Sequence, residues 1–205
     1  MAGTLPHAVF VETGLDGGTT VAAYAAELPG CATFAPGADE AAAAIPLRVA
    51  RFIAWLASSG EEPPQVVGDN WYEVERGAAG AGPGERATFT LDELPPSDEE
   101  WTRWLGWLEI AREELAAALD EAVPEAAERV AGRIADQDMA FVEVLGVPAV
   151  RAETAAGVDR CYAARDALTN ALAAAGPSTD GVRRILRVAI ADDLRGAAAL
   201  RGGEG

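Results

Sequence analysis

The sequence predicts an α+β fold, a small β-β-β-α-β domain followed by an all-α four-helix bundle. Two observations carry this: the apolar period changes from two to helical near the middle of the chain, and a Gly/Pro-rich stretch marks the change. A third is the composition, half apolar over 205 residues, enough to bury a sizeable core.

The strands come first. "HAVFVET" and "TVAAYAAEL" flank "GLDGG", whose glycines supply the positive φ of a tight hairpin. "LPGCATF" gives a turn and a third short strand. "GADEAAAAIPLRVARFIAWLASSGEEPP" reads as a helix, with Asp39 and Glu40 at its positive end and Pro63 and Pro64 closing it. "NWYEVERG" alternates as a fourth strand. Residues 1–77 therefore form the first domain, and 78–96, "AAGAGPGERATFTLDELPP", a linker with at most one brief extended piece.

From Ser97 to residue 205 the pattern is helical. "SDEEWTRWLGWLEIAREELAAALDEA" opens with a serine cap and acids in its first turn. "PEAAERVAGRIADQDMAFVEVLG" starts at a proline and stops at a glycine. "ETAAGVDRCYAARDALTNALAAAG" and "STDGVRRILRVAIADDLRGAAALRG" complete four helices, whose length and short connections suit a bundle.

The formal charge is −17, and all 16 basic residues are arginine. Such a chain repels phosphate backbones, so nucleic acid is not an expected partner. A small-molecule ligand or a basic protein is, with homodimerisation left open. Cys31 and Cys161 lie far apart and read as buried thiols of a reducing compartment. "MAGTLPHAVFVE" has no basic start or long apolar run, and nothing later reads as a bilayer span, so a cytoplasmic location without membrane contact is expected.

At 100° per residue, charges fall inside the helical core stripes. Ala127, Val130, Ile134, Phe141 and Leu145 line the second helix, with Asp138 among them and Arg133 and Gln137 on one flank. The last helix buries Val182, Ile185, Ala189 and Leu200, with Asp193 and Gly196 inside and Asp192 at the edge. Arg112 lies on the core side of the first helix, and Arg165 beside Val158, Cys161, Leu168 and Leu172 of the third. Unpaired, such charges are costly to bury. Three readings stay open: an ion-pair network without a ligand, a polar pocket opened by Gly196, and a carboxylate metal site of Asp138, Asp192 and Asp193.

The first half, through "ELPGCATFAPGADEA", resembles the HicB-like fold. The helical half resembles the DinB-like (YfiT-like) bundle in "WLGWLEIAREELAAALDEAVPE", "VAGRIADQDMAFVEVLG" and "RRILRVAIADDLRGAAALRG". DinB-like enzymes include small-thiol-dependent transferases and commonly hold a divalent metal with three histidines. The resemblance places those positions on Arg133, Asp192 and Gly196, so no metal and no cofactor are expected. It further implies that Arg133 approaches Asp192. The lone His7 reads as a strand-edge residue, Cys161 as a buried small hydrophobe, Cys31 as a turn residue under the sheet, and Trp107 as a contact to the first half.

The expected function is a non-catalytic or regulatory binding protein with a degenerate bundle; the second hypothesis is a DinB-like transferase or hydrolase working without the metal. HicB-like domains are often antitoxins for small basic RNA-cleaving toxins, and 13 acids against four arginines up to Pro95 suit a basic partner.

Overall fold

Strands β1 (His7–Leu15), β2 (Thr20–Ala25) and β3 (Ala32–Ala35) are followed by helix α1 (Ala38–Ser58) and strand β4 (Trp71–Ala78). Helices α2 (Asp98–Glu121), α3 (Pro124–Val144), α4 (Gly157–Ala175) and α5 (Val182–Leu200) complete a mixed α+β chain. The computed structural model describes residues 7–66, 70–147 and 155–202.

The sheet order is β3-β2-β1-β4. β1 runs antiparallel to β2 and parallel to β4, so α1 is the crossover that the parallel pair requires. At the hairpin tip Gly14, Gly17 and Gly18 take positive φ, as does Asp16, one of the few non-glycine types that tolerate it.

Strand alternation divides the sheet's two faces. Val9, Val11, Val21, Ala23 and Ala25 pack with the Ala41, Ile45, Val49, Phe52 and Leu56 stripe of α1. By length and apolarity α1 is a helix that could cross a bilayer; here that stripe covers the sheet. Phe10, Ala22, Tyr24 and Ala32 face the other way, against Ala87, Phe89 and Ala191.

In the helical part α3 lies along α4, and α2 along α5. Ser97 caps α2, as the sequence indicated, and the structure adds a capping box with Glu100. Trp107 meets the first half, its ring edge-on to Phe52 of α1 at 5.6 Å. α5 is buried nearly all round, because the sheet side and α2 and α3 all contact it. At Gly30, in the "LPGC" turn, φ is +88° and a Cβ would overlap Ile190 of α5. Only glycine allows that approach.

The stretch 78–96 is no loose tether. Arg86, Ala87, Phe89 and Asp92 are buried, and Phe89 stacks on Phe10 at 4.6 Å. It forms a wedge between the sheet and α5.

Candidate functional site

The eight positions singled out in the helices, seven charged or polar and Gly196, separate into two groups with the glycine as outlier. Arg133 and Gln137 lie one turn apart on α3, and Asp192 faces them from α5. With the hairpin tip at Gly14–Gly17, residues 79–83, Asp136 and Arg195 they line a cleft of about 440 Å³.

The floor of the cleft is organised by Arg86, which the sequence reading had left in the linker. Its guanidinium forks onto Glu12, Nε to Oε1 at 3.0 Å and Nη2 to Oε2 at 2.9 Å. Nη1 donates to Asp192 Oδ2 at 2.8 Å and to Gln137 Oε1 at 3.3 Å. Nη2 also donates to the Tyr24 hydroxyl at 2.6 Å, which in turn donates to Glu12 Oε2 at 2.8 Å. The Ala87 backbone N–H adds a bond to Glu12 Oε1 at 2.7 Å. One cation from the wedge thus joins β1, β2, α3 and α5.

These contacts set the electrostatics. Burial alone would raise the Glu12 carboxyl, but the charge and hydrogen bonds of Arg86 and the Ala87 N–H hold it below the ordinary range. Asp192 behaves alike: burial opposes, while Arg86, then Arg133 and Arg195, lower it. Tyr24 is pushed up by burial and stays a neutral donor.

Because a guanidinium only donates, Gln137 must offer Arg86 its carbonyl oxygen. That leaves Gln137 Nε2, and likewise Asp192 Oδ1, buried without a partner. Arg133 comes within 3.5 Å of Asp192 Oδ2, the expected approach, but as a looser ion pair with its side chain 37% exposed. The close partner of Asp192 is Arg86.

The second group lies apart. Arg165 forks onto Asp193 through both terminal nitrogens, and its Nε is 4.0 Å from Asp138 Oδ2. Arg112 donates to Thr169 and has two buried nitrogens without a partner. Burial raises the Asp138 carboxyl to about 7; Arg165 opposes this and Asp193 adds to it. Cys161 is buried beside this group, and burial raises its thiol.

Gly196 corrects the sequence reading. It opens no pocket: a Cβ there would sit 3.0 Å from Val130 Cγ1 and 3.1 Å from Ile134 Cδ1 and Leu115 Cδ1. Its missing side chain lets α5 close on α2 and α3. The carboxylate metal reading is corrected as well, since Asp192 is held by Arg86 and Asp193 by Arg165. Among the described residues no three His, Cys, Asp or Glu side chains gather as metal ligands would.

Sequence reasoning also missed Glu12, Tyr24 and a neighbouring pair. Arg187 donates to Asp92 Oδ2 at 2.7 Å and stacks over Tyr24 and Phe89. One available signal was that Arg86 is the lone basic residue between Arg76 and Arg103 in an otherwise apolar and acidic run. His7 sits at the start of β1, bonded to Glu27 at 3.0 Å and stacked on Trp71, away from the cleft. Cys31 is buried in the core on the α1 side.

Chemically the cleft offers charge and hydrogen bonds. Its lining contains no hydroxyl, thiol or imidazole side chain, and Asp16, Asp136 and Asp192 are each paired with an arginine. No family model, curated protein or solved structure matches the chain.

Proposed function

We propose that this is a binding protein whose cleft at Arg133, Gln137 and Asp192 takes a small polar molecule and performs no chemistry on it. The observation that carries the reading is the state of the cleft floor. Each acid of the cleft is held by an arginine, Glu12 and Asp192 by Arg86, Asp16 by Arg195 and Asp136 by Arg160, while one amide donor and one carboxylate oxygen of Asp192 stay without partners beside a half-free arginine. Such groups recognise; they do not attack. The fitting ligand carries an acceptor-rich group for Arg133 and Gln137 and an N–H or O–H donor for Asp192.

We read the chain as a HicB-like head on DinB-like helices that have lost the metal site. Support comes from the β-β-β-α-β order and the four helices after it. The residues at the three ligand positions do not suit a metal: Arg133 brings a cation to Asp192, and Gly196 brings no donor atom. A transferase or hydrolase would need a nucleophile or free base, and the cleft lining supplies neither.

The test is a thermal-shift screen of small amides, amino acids and hydroxy acids against the parent protein and Arg133→Leu. Ligands that bind only the folded state raise its Tm by mass action. The expected hit raises the parent's Tm and acts less on the variant. A screen without hits, or hits indifferent to Arg133, would defeat the reading, and turnover of a hit compound would favour the enzyme.

A further inference from the structure

The groove between α1 and the last turns of α5 lies apart from the cleft and has the opposite electrostatic character to the chain as a whole. It is about 170 Å³ in volume and is lined by Arg48, Arg51, Trp55 and Arg201, with Phe52 and Leu194 as its apolar wall. Its polar side chains are almost all donors. Arg48 Nε and the Trp55 indole Nε1 are buried and have no hydrogen-bond partner. Glu114 is the acid at this groove, and it is already paired with Arg201.

Neither Arg48 nor Arg51 makes an ion pair or a side-chain hydrogen bond among the described residues. That is unexpected in a chain with 33 acids and 16 arginines, where counter-ions are plentiful. The groups whose charge acts on Arg48 are Cys31 and Arg51. Burial pushes the Cys31 thiol up to about 12, so it is neutral and no counter-ion. Burial, with the charge of Arg51, holds the Arg48 guanidinium below its usual range, the mark of an uncompensated cation. Leaving a guanidinium half-buried without an anion is costly, and an incoming anion removes that cost.

We infer that this groove is a second binding site, for the phosphate group of a small soluble molecule. Guanidinium forks and an indole N–H match a tetrahedral oxyanion, which accepts several bonds at once. The two arginines stand one turn apart on α1 and so present their forks to one spot. The volume is ample for a phosphate group, and the rest of a phosphomonoester would extend toward solvent. The acidic surface elsewhere opposes an anionic membrane as the source.

The test is a titration of the full chain with inorganic phosphate at fixed ionic strength, followed by proton–nitrogen NMR of the Trp55 indole N–H, assigned with Trp55→Phe. The expected result is a saturable shift with phosphate and none with chloride. Arg51→Gln, at an exposed and unpaired position, is expected to weaken binding about tenfold without affecting folding. Arg133→Leu should leave the titration unchanged. No shift, a shift matched by chloride, an affinity unaffected by Arg51→Gln, or loss of the shift in Arg133→Leu would each overturn the site. Arg51-dependent sedimentation with vesicles of phosphatidic acid would overturn the soluble source.

Discussion

Arg86 Nη1 lies 2.8 Å from Asp192 Oδ2, joining residues 106 positions apart in the sequence. Both are buried, and Arg86 also forks onto Glu12, so one guanidinium serves two acids and a tyrosine. A buried charge is tolerated when its partners satisfy it, and removing one partner strands the rest. The wedge, the sheet and α5 are therefore energetically one unit at this point.

Arg86→Met should cost about 3–5 kcal/mol in denaturant unfolding at neutral pH, because Glu12 and Asp192 lose their cation while still buried. The loss should shrink in acid. In the parent both carboxyls sit below their ordinary values of 4.5 and 3.8, so their contribution is present above those values and disappears as pH falls through the lower folded ones. In the variant burial is opposed only by Arg133 and Arg195 at Asp192 and by the Ala87 N–H and Arg187 at Glu12, so both carboxyls rise relative to the parent and protonation near pH ~4 relieves part of the loss. Unfolding curves at both pH values check this; a loss independent of pH would count against it.

Asp138 gives the opposite sign. Its folded carboxyl is raised to about 7 from 3.8, so the folded state holds a proton that the unfolded chain has released. Stability from this group is full below the ordinary value and is lost as pH rises toward 7. Asp138→Asn removes that slope. Its stability relative to the parent should therefore improve by about 1–3 kcal/mol between pH ~4 and ~7 and then level off. A difference that stays flat across that window would show that Asp138 does not hold a proton in the fold.

Two helical glycines, Gly132 and Gly196, should respond oppositely to alanine. At Gly132 of α3 nothing lies within 4 Å of an added Cβ, so Gly132→Ala should stabilise by about 0.5–1 kcal/mol through helix propensity. At Gly196 three side-chain carbons lie at 3.0–3.1 Å, and overpacking should outweigh propensity, for a net loss of about 1 kcal/mol or more. Thermal unfolding of the two variants distinguishes them. Equal stabilisation at both sites would show that α5 has room against α2 and α3.

What the sequence revealed follows from periodicity. The 100° rule put Asp138 inside the α3 stripe, where it is 2% exposed, Arg133 and Gln137 on one flank of that stripe and Asp192 at the edge of the α5 stripe; it did not say that the two edges share one cleft. It was silent on Arg86, because a Gly/Pro-rich stretch has no period and its burial depends on a sheet face and a helix meeting around it. It understated α5, since an amphipathic reading assumes one wet face, while Arg183 and Arg187 are buried with the rest of that helix. At Gly196 an absent side chain suggested open space, but neighbouring methyl groups fill it.

The most direct measurement is a pair of double-mutant cycles at Asp192, one with Arg86 and one with Arg133, read by equilibrium unfolding. Asp192→Leu alone should cost about 3 kcal/mol, because it leaves Arg86 a buried cation with fewer partners. If the cleft floor is an arginine network centred on Arg86, adding Arg86→Met should cost much less than its own single effect, a coupling of about 2 kcal/mol or more. Arg133→Leu, from a half-exposed residue 3.5 Å away, should couple to Asp192 by less than about 1 kcal/mol. The reverse order, with strong coupling to Arg133 and additivity with Arg86, would contradict the arrangement and make Arg133 the true partner of Asp192.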